Sequence, residues 1–530
     1  MSTEPKEMSF GANAVLSALA WFVPALTALI AVPITVRGLG SDAYGLLTLV
    51  GAVTGYLGLM EMGLGTAIVR YLSYYRALNQ GRPMIGLLRF AVTWFGGVGV
   101  VGALLLLVGA HWIAASVLKV PPGMTDTAVT VLRITGFGFL AGMLVSVGSV
   151  VPQCFLRYDI SALAEIVFGV AGSAGPAILV LLGFKLVAVV AFAALNDALA
   201  VVVFVLIAIR LFRPIDKKAG PNWPSVRRAV LKFAAATAAN KVISVLSTQT
   251  SRIVVGIASG VAAAAYYQIP YMLASRANSM LSAVAQVMFP TASGMNARND
   301  EASVKELYLR TSRVFFVVNG SVAAAMCALA YPLLAFWVSP RYAQEGAFAL
   351  VVFSITGAVN ATTMSASYVN LSAAHPVVNL VFSFSNSTVQ LATVYPLTVR
   401  WGVTGAAVAG LLGATTVPAF FWYSHRKTIH VSSLRVWRAC YLPTFAGAGL
   451  VGVAAYYLVA LRLHGLIATL AAFLAVMLAA MALSGVLGGI KREDIRSMIA
   501  LLRGIRLRRR LPKAHDEPAG PVDQTPSGTT

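Results

Sequence analysis

Within the apolar stretch ANKVISVLSTQTSRIVVG, residues 239–256, the polar side chains Lys241, Ser244, Thr248 and Arg252 recur at intervals that align them along one face of a helix. Two cations and two hydroxyls on one strip make that face a polar stripe running most of the helix, able to hold charge and to offer hydrogen bonds. A cation at the centre of a membrane-spanning helix costs roughly 2.5–3.5 kcal/mol, so both need protein, water or an anion opposite them. A second polar line follows, Gln268, Tyr271, Ser275, Ser279, Ser282 and Gln286, with Arg276 beside it. Arg133 is a fourth cation within an apolar run, and the acids in such runs are Glu61, Glu165 and Asp197. The two lines read as one wall of a hydrated cavity, net positive and most strongly so in the C-terminal half.

Each cation has a blander reading, in which it pairs with an acid or a carbonyl, or in which Lys241 and Arg133 snorkel to an interface. Arg276 fits that reading least well. Asp197, beside Asn196 in mid-run, suits either proton coupling or helix–helix pairing, and Glu61, near a helix end, suits a structural role or ion coupling.

The elements that must position these groups follow from composition. The 530 residues are 58% hydrophobic and 11% charged, with a mean hydropathy of +0.80, which repeated apolar runs of bilayer-spanning length explain and a soluble core does not. Polar punctuation divides the chain into fourteen expected membrane helices, from 13–36 to 465–488, an all-α polytopic fold. Thirty of the 40 Lys and Arg residues fall in alternate loops on one side, including Arg70, Arg76, Arg157 and the basic tail. The positive-inside rule makes that side, and both termini, cytoplasmic. The N-terminal apolar run is too long for a signal-peptide core, so no cleavage is expected.

The halves echo each other at an offset of roughly 220 residues: RGLGSDAYGLL corresponds to GIASGVAAAAYY, and LLGFKLVAVVAFAAL to RWGVTGAAVAGLL. An even number of helices separates them, so the repeat is parallel. The expected units are a six-helix half at 1–219, a second at 220–430, a hairpin at 431–490, and a basic, largely disordered cytoplasmic tail at 491–530.

Several functions are excluded. The basic excess lies in short loops between apolar runs, which argues against nucleic acid. The glycine run from Gly97 to Gly102 matches GxGxxG, but no strand precedes it, and packing between helices explains it better than a nucleotide. No HExxH, nucleophile elbow or P-loop is present, the histidines are scattered, and Cys154, Cys327 and Cys440 lack metal or redox spacing. The chain reads as no enzyme and as needing no cofactor or metal. The sequon Asn319-Gly-Ser lies within a span and is empty as a glycosylation signal.

Residues 33–73, with Gly40, Tyr44-Gly45, Met62-Gly63-Leu64 and Arg70, resemble the start of the polysaccharide-transport family, the Wzx-like lipid-linked oligosaccharide flippases of the MOP/MATE-like exporter superfamily. Residues 247–300, with Arg252, Tyr266-Tyr267, Phe289-Pro290 and Ser293, resemble its second-half equivalent, and the likeness extends over about 13–425. Two departures stand out. Ser251 occupies a position where the family carries an acid, and Glu61 is displaced by one residue from the usual aspartate.

The resemblance implies a flippase of the bacterial inner membrane that moves undecaprenyl-pyrophosphate-linked repeat units across the bilayer for O-antigen, capsule or exopolysaccharide synthesis, by alternating access. It implies Arg276 and Arg252 as anion contacts, Lys241 and Arg133 as secondary ones, and Ser244, Thr248 and Gln268 as sugar hydrogen-bonders. The rivals are a lipid II flippase, whose first helix is expected to carry arginine where 13–36 has no charge, a cation or drug antiporter, which would want exposed carboxylates, and a non-transport scaffold. Expected partners are the lipid-linked oligosaccharide, anionic lipids at the run RGIRLRRR (503–510), and polysaccharide polymerase machinery.

Overall fold

The computed structural model describes residues 10–61, 63–155, 157–213, 223–285, 288–298, 300–373 and 375–489. The expectations for Met62, Gln286, the Ser282 side chain, and the tail at 491–530 with its basic run fall outside what is described. Among the described residues every regular element is helical, and eleven stretches are long and apolar enough to cross a membrane. The chain is a multi-pass membrane protein.

The principal helices are α1 (Phe10–Leu57), α2 (Leu64–Ala77), α3 (Gly81–Val108), α4 (Thr125–Gly148), α5 (Tyr158–Leu181), α6 (Leu186–Phe212), α7 (Trp223–Ser259), α8 (Val261–Ala285), α9 (Met288–Ala297), α10 (Glu301–Ala328), α11 (Ala330–Trp337), α12 (Pro340–Ser372), α13 (Pro376–Gly413), α14 (Leu442–Leu458) and α15 (Leu466–Ser484). Two conceal a reversal. Within α1, Gly40 takes φ 82°, ψ 168°, and within α13, Gly402 takes φ 57°, ψ −136°, backbone states open to glycine and costly for a residue with Cβ. Left-handed glycines also separate α5 from α6 at Gly183 and α7 from α8 at Gly260. Gly40 and Gly260 are about 220 positions apart, as are Gly183 and Gly402, so two of the echoes in sequence coincide with glycine turns in the backbone. Helix α8 is not among the eleven apolar stretches, because its serines, amides and Arg276 lower its hydropathy.

Helices α1 to α4 and α6 share one core, which includes Leu46, Leu72, Phe95 and Leu132 and is joined by Val230 of α7 and Val261 of α8, while α5 packs on α1 and α6. Helices α7, α8 and α10 to α13 form a second group around Tyr267, Leu334, Leu350 and Ala406. In lipid, helices associate through close approach of small residues, and the glycine run on α3 shows this. A Cβ on Gly102 would lie 2.3 Å from the Phe139 ring, and one on Gly99 would lie 2.7 Å from Leu140, so these glycines are the seats for α4. The α14–α15 hairpin docks on α10. At the start of α10, Asp300 accepts the Ser303 backbone N–H at 3.0 Å and caps the helix, and its contacts with Ser303 hold its carboxyl below the ordinary range.

The side carrying Arg70, Arg89, Arg157 and Arg213 is the basic side. On the opposite side the two helix groups meet closely. The Arg37 guanidinium donates to the carbonyls of Phe336 (2.9 Å), Trp337 (3.1 Å) and Val338, the unpaired C-terminal acceptors of α11. Trp337 Nε1 donates back to the Leu29 carbonyl at 2.8 Å. Deeper, Gly256 faces the Leu49 side chain, and a Cβ on Gly45 would stand 2.0 Å from the Val261 carbonyl oxygen.

That last contact gives a test. Gly45→Ala forces backbone to move and should cost about 1–3 kcal/mol, read as a lower melting temperature of the detergent-solubilised protein. Gly51→Ala, where a Cβ meets nothing within 4 Å, should leave the melting temperature unchanged; equal behaviour of the two would show that the close approach is not maintained.

Candidate substrate-binding site

Helix α7 has 37 residues, about 55 Å at 1.5 Å per residue, longer than a hydrocarbon core of about 30 Å, so its basic-side end projects beyond the bilayer. There it is tied to the first helix group, with the Arg70 guanidinium 4.5 Å from the Phe233 ring centroid and Tyr71 edge-on to the same ring. Further in, Tyr56 and Thr250 share a hydroxyl hydrogen bond. The strip read from sequence is the open face of α7: Lys241 and Ser244 are exposed, and Thr248 and Arg252 half-buried. Ser247 and Ser251 are buried; Ser251 donates to the Ser247 carbonyl at 2.9 Å and accepts from Gln390 Nε2 of α13 at 3.2 Å.

Arg252 has neutral company. Its Nη1 donates to Gln249 Oε1 at 3.2 Å, its guanidinium carbon lies 5.6 Å from the Tyr271 ring centroid, and its Nε is buried without a hydrogen-bond partner. No carboxylate among the described residues pairs with it. An amide oxygen and an aromatic face lower the cost of burying the cation while leaving its charge uncompensated. Ser251, standing where an acid was expected, is occupied by Gln390 instead.

The other singled-out groups divide. Lys241 forms an ion pair with Glu61. This joins α7 to the turn after α1 and fits the structural reading of both residues more directly than substrate contact or ion coupling. Arg276 is exposed on α8, with no hydrogen bond or ion pair from its side chain to another described residue. Measured from the opposite-side ends of their helices, Arg252, Arg276 and Lys241 lie about 10, 22 and 27 Å deep, a column of cations on adjacent helices. Arg133 is exposed on α4, which packs between α3 and α6, and no contact joins it to this column. Asp197 is half-buried on α6, where a Cβ on Gly142 of α4 would lie 3.9 Å from its carboxylate; its neighbour Asn196 donates to the Phe168 carbonyl at 3.4 Å. Gln268 has its Oε1 buried without a partner.

Beside the column is a recess of about 310 Å³ between α8 and α12, largely apolar with Phe353, Ala361 and Met364 in its lining, into which Tyr271, Ser275, Asn278, Thr356 and Asn360 bring polar groups. Asn278 donates to the Ala274 carbonyl at 3.2 Å and accepts from Asn319 at 2.7 Å, and the Asn360 Oδ1 is buried and unpartnered. Tyr271 lines this recess and carries Arg252 on its ring, so one residue links the cation to the amides. The sequence reading missed Asn278, Asn319 and Asn360. Asn278 follows Ser275 and Tyr271 at i+3 and i+7 and shares their helix face, and all three are amides inside apolar runs, which was the available signal. Among the described residues, no group of three or more His, Cys, Asp or Glu side chains could hold a metal ion.

Residues 34–347 match the model of a family described as polysaccharide biosynthesis protein. No curated protein matches by sequence. Among solved structures, the lipid II flippase MurJ in an inward closed conformation aligns at TM-score 0.66 and 12% identity, covering 92% of this chain and 100% of its own. An inward-facing multidrug resistance MATE family transporter of the MOP superfamily aligns at 0.65 and 15% identity, covering 78% and 98%. An outward-facing member aligns at 0.56 and 15%, covering 78% and 94%. At these identities the likeness establishes the fold, the MOP/MATE-like architecture of these transporters and this flippase.

The cross-group ion pair is testable by charge exchange. Lys241→Glu and Glu61→Lys should each lower the melting temperature, and the double exchange should recover most of the loss, with a coupling of about 0.5–1 kcal/mol for a partly exposed pair; additive losses would show that the two side chains do not meet.

Proposed function

Because the chain belongs to this polysaccharide biosynthesis family, we propose that it is a flippase for a polyprenyl-pyrophosphate-linked saccharide, with the repeat unit of a bacterial surface polysaccharide as its cargo. Arg252 carries this reading: a half-buried guanidinium with neutral neighbours and an unused Nε suits a pyrophosphate. Arg276, nearer the basic side, supplies a second charge, and the amide recess offers donors and acceptors to sugar hydroxyls. Ser244, Thr248 and Gln268 flank the path between them. Lys241 and Arg133 are left as secondary, and Asp197 as the remaining candidate for ion coupling.

In this reading α1 and α13 count as two spans each at Gly40 and Gly402, and α8 as one more. That gives fourteen spans in two parallel six-helix halves and a terminal hairpin, with the basic side and both termini in the cytoplasm of a bacterial inner membrane. The clasp at Arg37 and the contacts at Gly45 and Gly256 close the periplasmic side, so the cations are open to the cytoplasm, from which the headgroup enters. Rocking the halves would exchange that closure for one at the cytoplasmic side.

Lipid II is the second reading. MurJ covers more of this chain than the MATE structures do, and its lipid shares the pyrophosphate chemistry. A cation antiporter suits the site less, since Arg252 and Arg276 would repel its substrate.

The test is accumulation of lipid-linked saccharides in cells lacking the protein, complemented at matched membrane levels. Stalled repeat units on the cytoplasmic side, rescued by wild type and not by Arg276→Glu, are expected; losing a charged hydrogen bond of roughly 1.5–3 kcal/mol weakens headgroup binding by about tenfold or more. Stalled lipid II would select the second reading, and no stalled lipid would overturn both.

A further inference from the structure

Away from the cation column, helices α3, α4 and α6 enclose a groove of about 740 Å³ at their basic-side ends. Its walls are apolar, including Val92, Leu144, Val151 and Val205, and its floor is made where Gly148 admits Phe204: a Cβ on Gly148 would lie 2.5 Å from the Phe204 Cβ, and Phe204 is buried. Two arginines complete the lining, Arg89 from α3 and Arg213 just past α6, and no acid is among the lining residues. Both are exposed, and neither guanidinium has a hydrogen bond or ion pair to another described residue, the one side-chain hydrogen bond at Arg89 being from the Thr93 hydroxyl to its backbone carbonyl at 2.9 Å. Arg213 follows the last turn of α6 and Arg89 lies about 12 Å along α3, within snorkelling reach of the headgroup level at the basic side.

A cleft for hydrocarbon beneath two guanidinium groups that pair with no acid among the described residues has the chemistry to bind a phospholipid with an anionic headgroup, because the arginines meet phosphate oxygens while the cleft takes acyl chain. Apolar lining alone would accept any lipid; the pair of cations selects among them. We propose that this groove holds one anionic phospholipid, with Arg89 and Arg213 on its headgroup, as a structural site separate from the transport path. The site depends on nothing in the flippase reading.

The test uses the full chain purified in detergent and native mass spectrometry with phosphatidylglycerol and phosphatidylethanolamine of distinguishable mass. Wild type should retain phosphatidylglycerol preferentially. Arg89→Gln with Arg213→Gln should cut that retention by at least about fivefold, since one charge near a lipid headgroup is worth about that factor. Val205→Trp, which fills the cleft and keeps both arginines, should cut it as well. Equal retention of the two lipids by wild type would overturn the proposal, as would undiminished phosphatidylglycerol on the double variant. Loss of the adduct in Arg276→Gln but not in the groove variants would move the lipid to the cation column and also overturn it.

Discussion

Arg252 stands about 10 Å inside a membrane span, and its company is the amide oxygen of Gln249 and the ring of Tyr271 on α8, with no carboxylate among the described residues. Lipid cannot solvate a guanidinium, so the surrounding helices must provide polar surface, and a place must remain from which water or an anion can reach it. Much of the C-terminal half follows from that constraint. Helix α8 falls below the hydropathy of the eleven apolar stretches because it supplies the facing wall, Asn278 included, and Asn319 and Asn360 extend that wall from more apolar helices.

The contact between the two helix groups obeys a complementary rule. Where the groups must touch, side chains are removed: Gly45 and Gly256 allow backbone and leucine to approach closely, as Gly102 does inside the first group. Where they must be held in register, directional bonds appear, at Arg37, Trp337 and the Tyr56–Thr250 hydroxyls. Small residues give proximity without preference, and the polar bonds give preference.

The fold was legible in sequence because in a bilayer hydropathy nearly dictates structure: apolar runs become helices, and loop charges separate the two sides. The spacing of Lys241, Ser244, Thr248 and Arg252 was enough to place them on one open face. What the spacing could not supply was the partner of each charge. Lys241 and Arg252 look alike along the strip, yet one meets Glu61, 180 residues away in sequence, and the other meets Gln249 and Tyr271. Long-range pairing leaves no local periodicity. The three asparagines were overlooked for a different reason: the reading followed charges, hydroxyls and the glutamines on the same line, and Asn319 was considered only as an unused glycosylation signal.

The clasp at Arg37 has a genetic consequence. Its acceptors are the backbone carbonyls at the end of α11, present whatever side chains Phe336, Trp337 and Val338 carry. Sequence drift along α11 therefore leaves those three bonds intact, while a single codon on the other side can abolish all of them. Retention of those three bonds therefore depends on one gene position, and selection acting on them has a correspondingly narrow target.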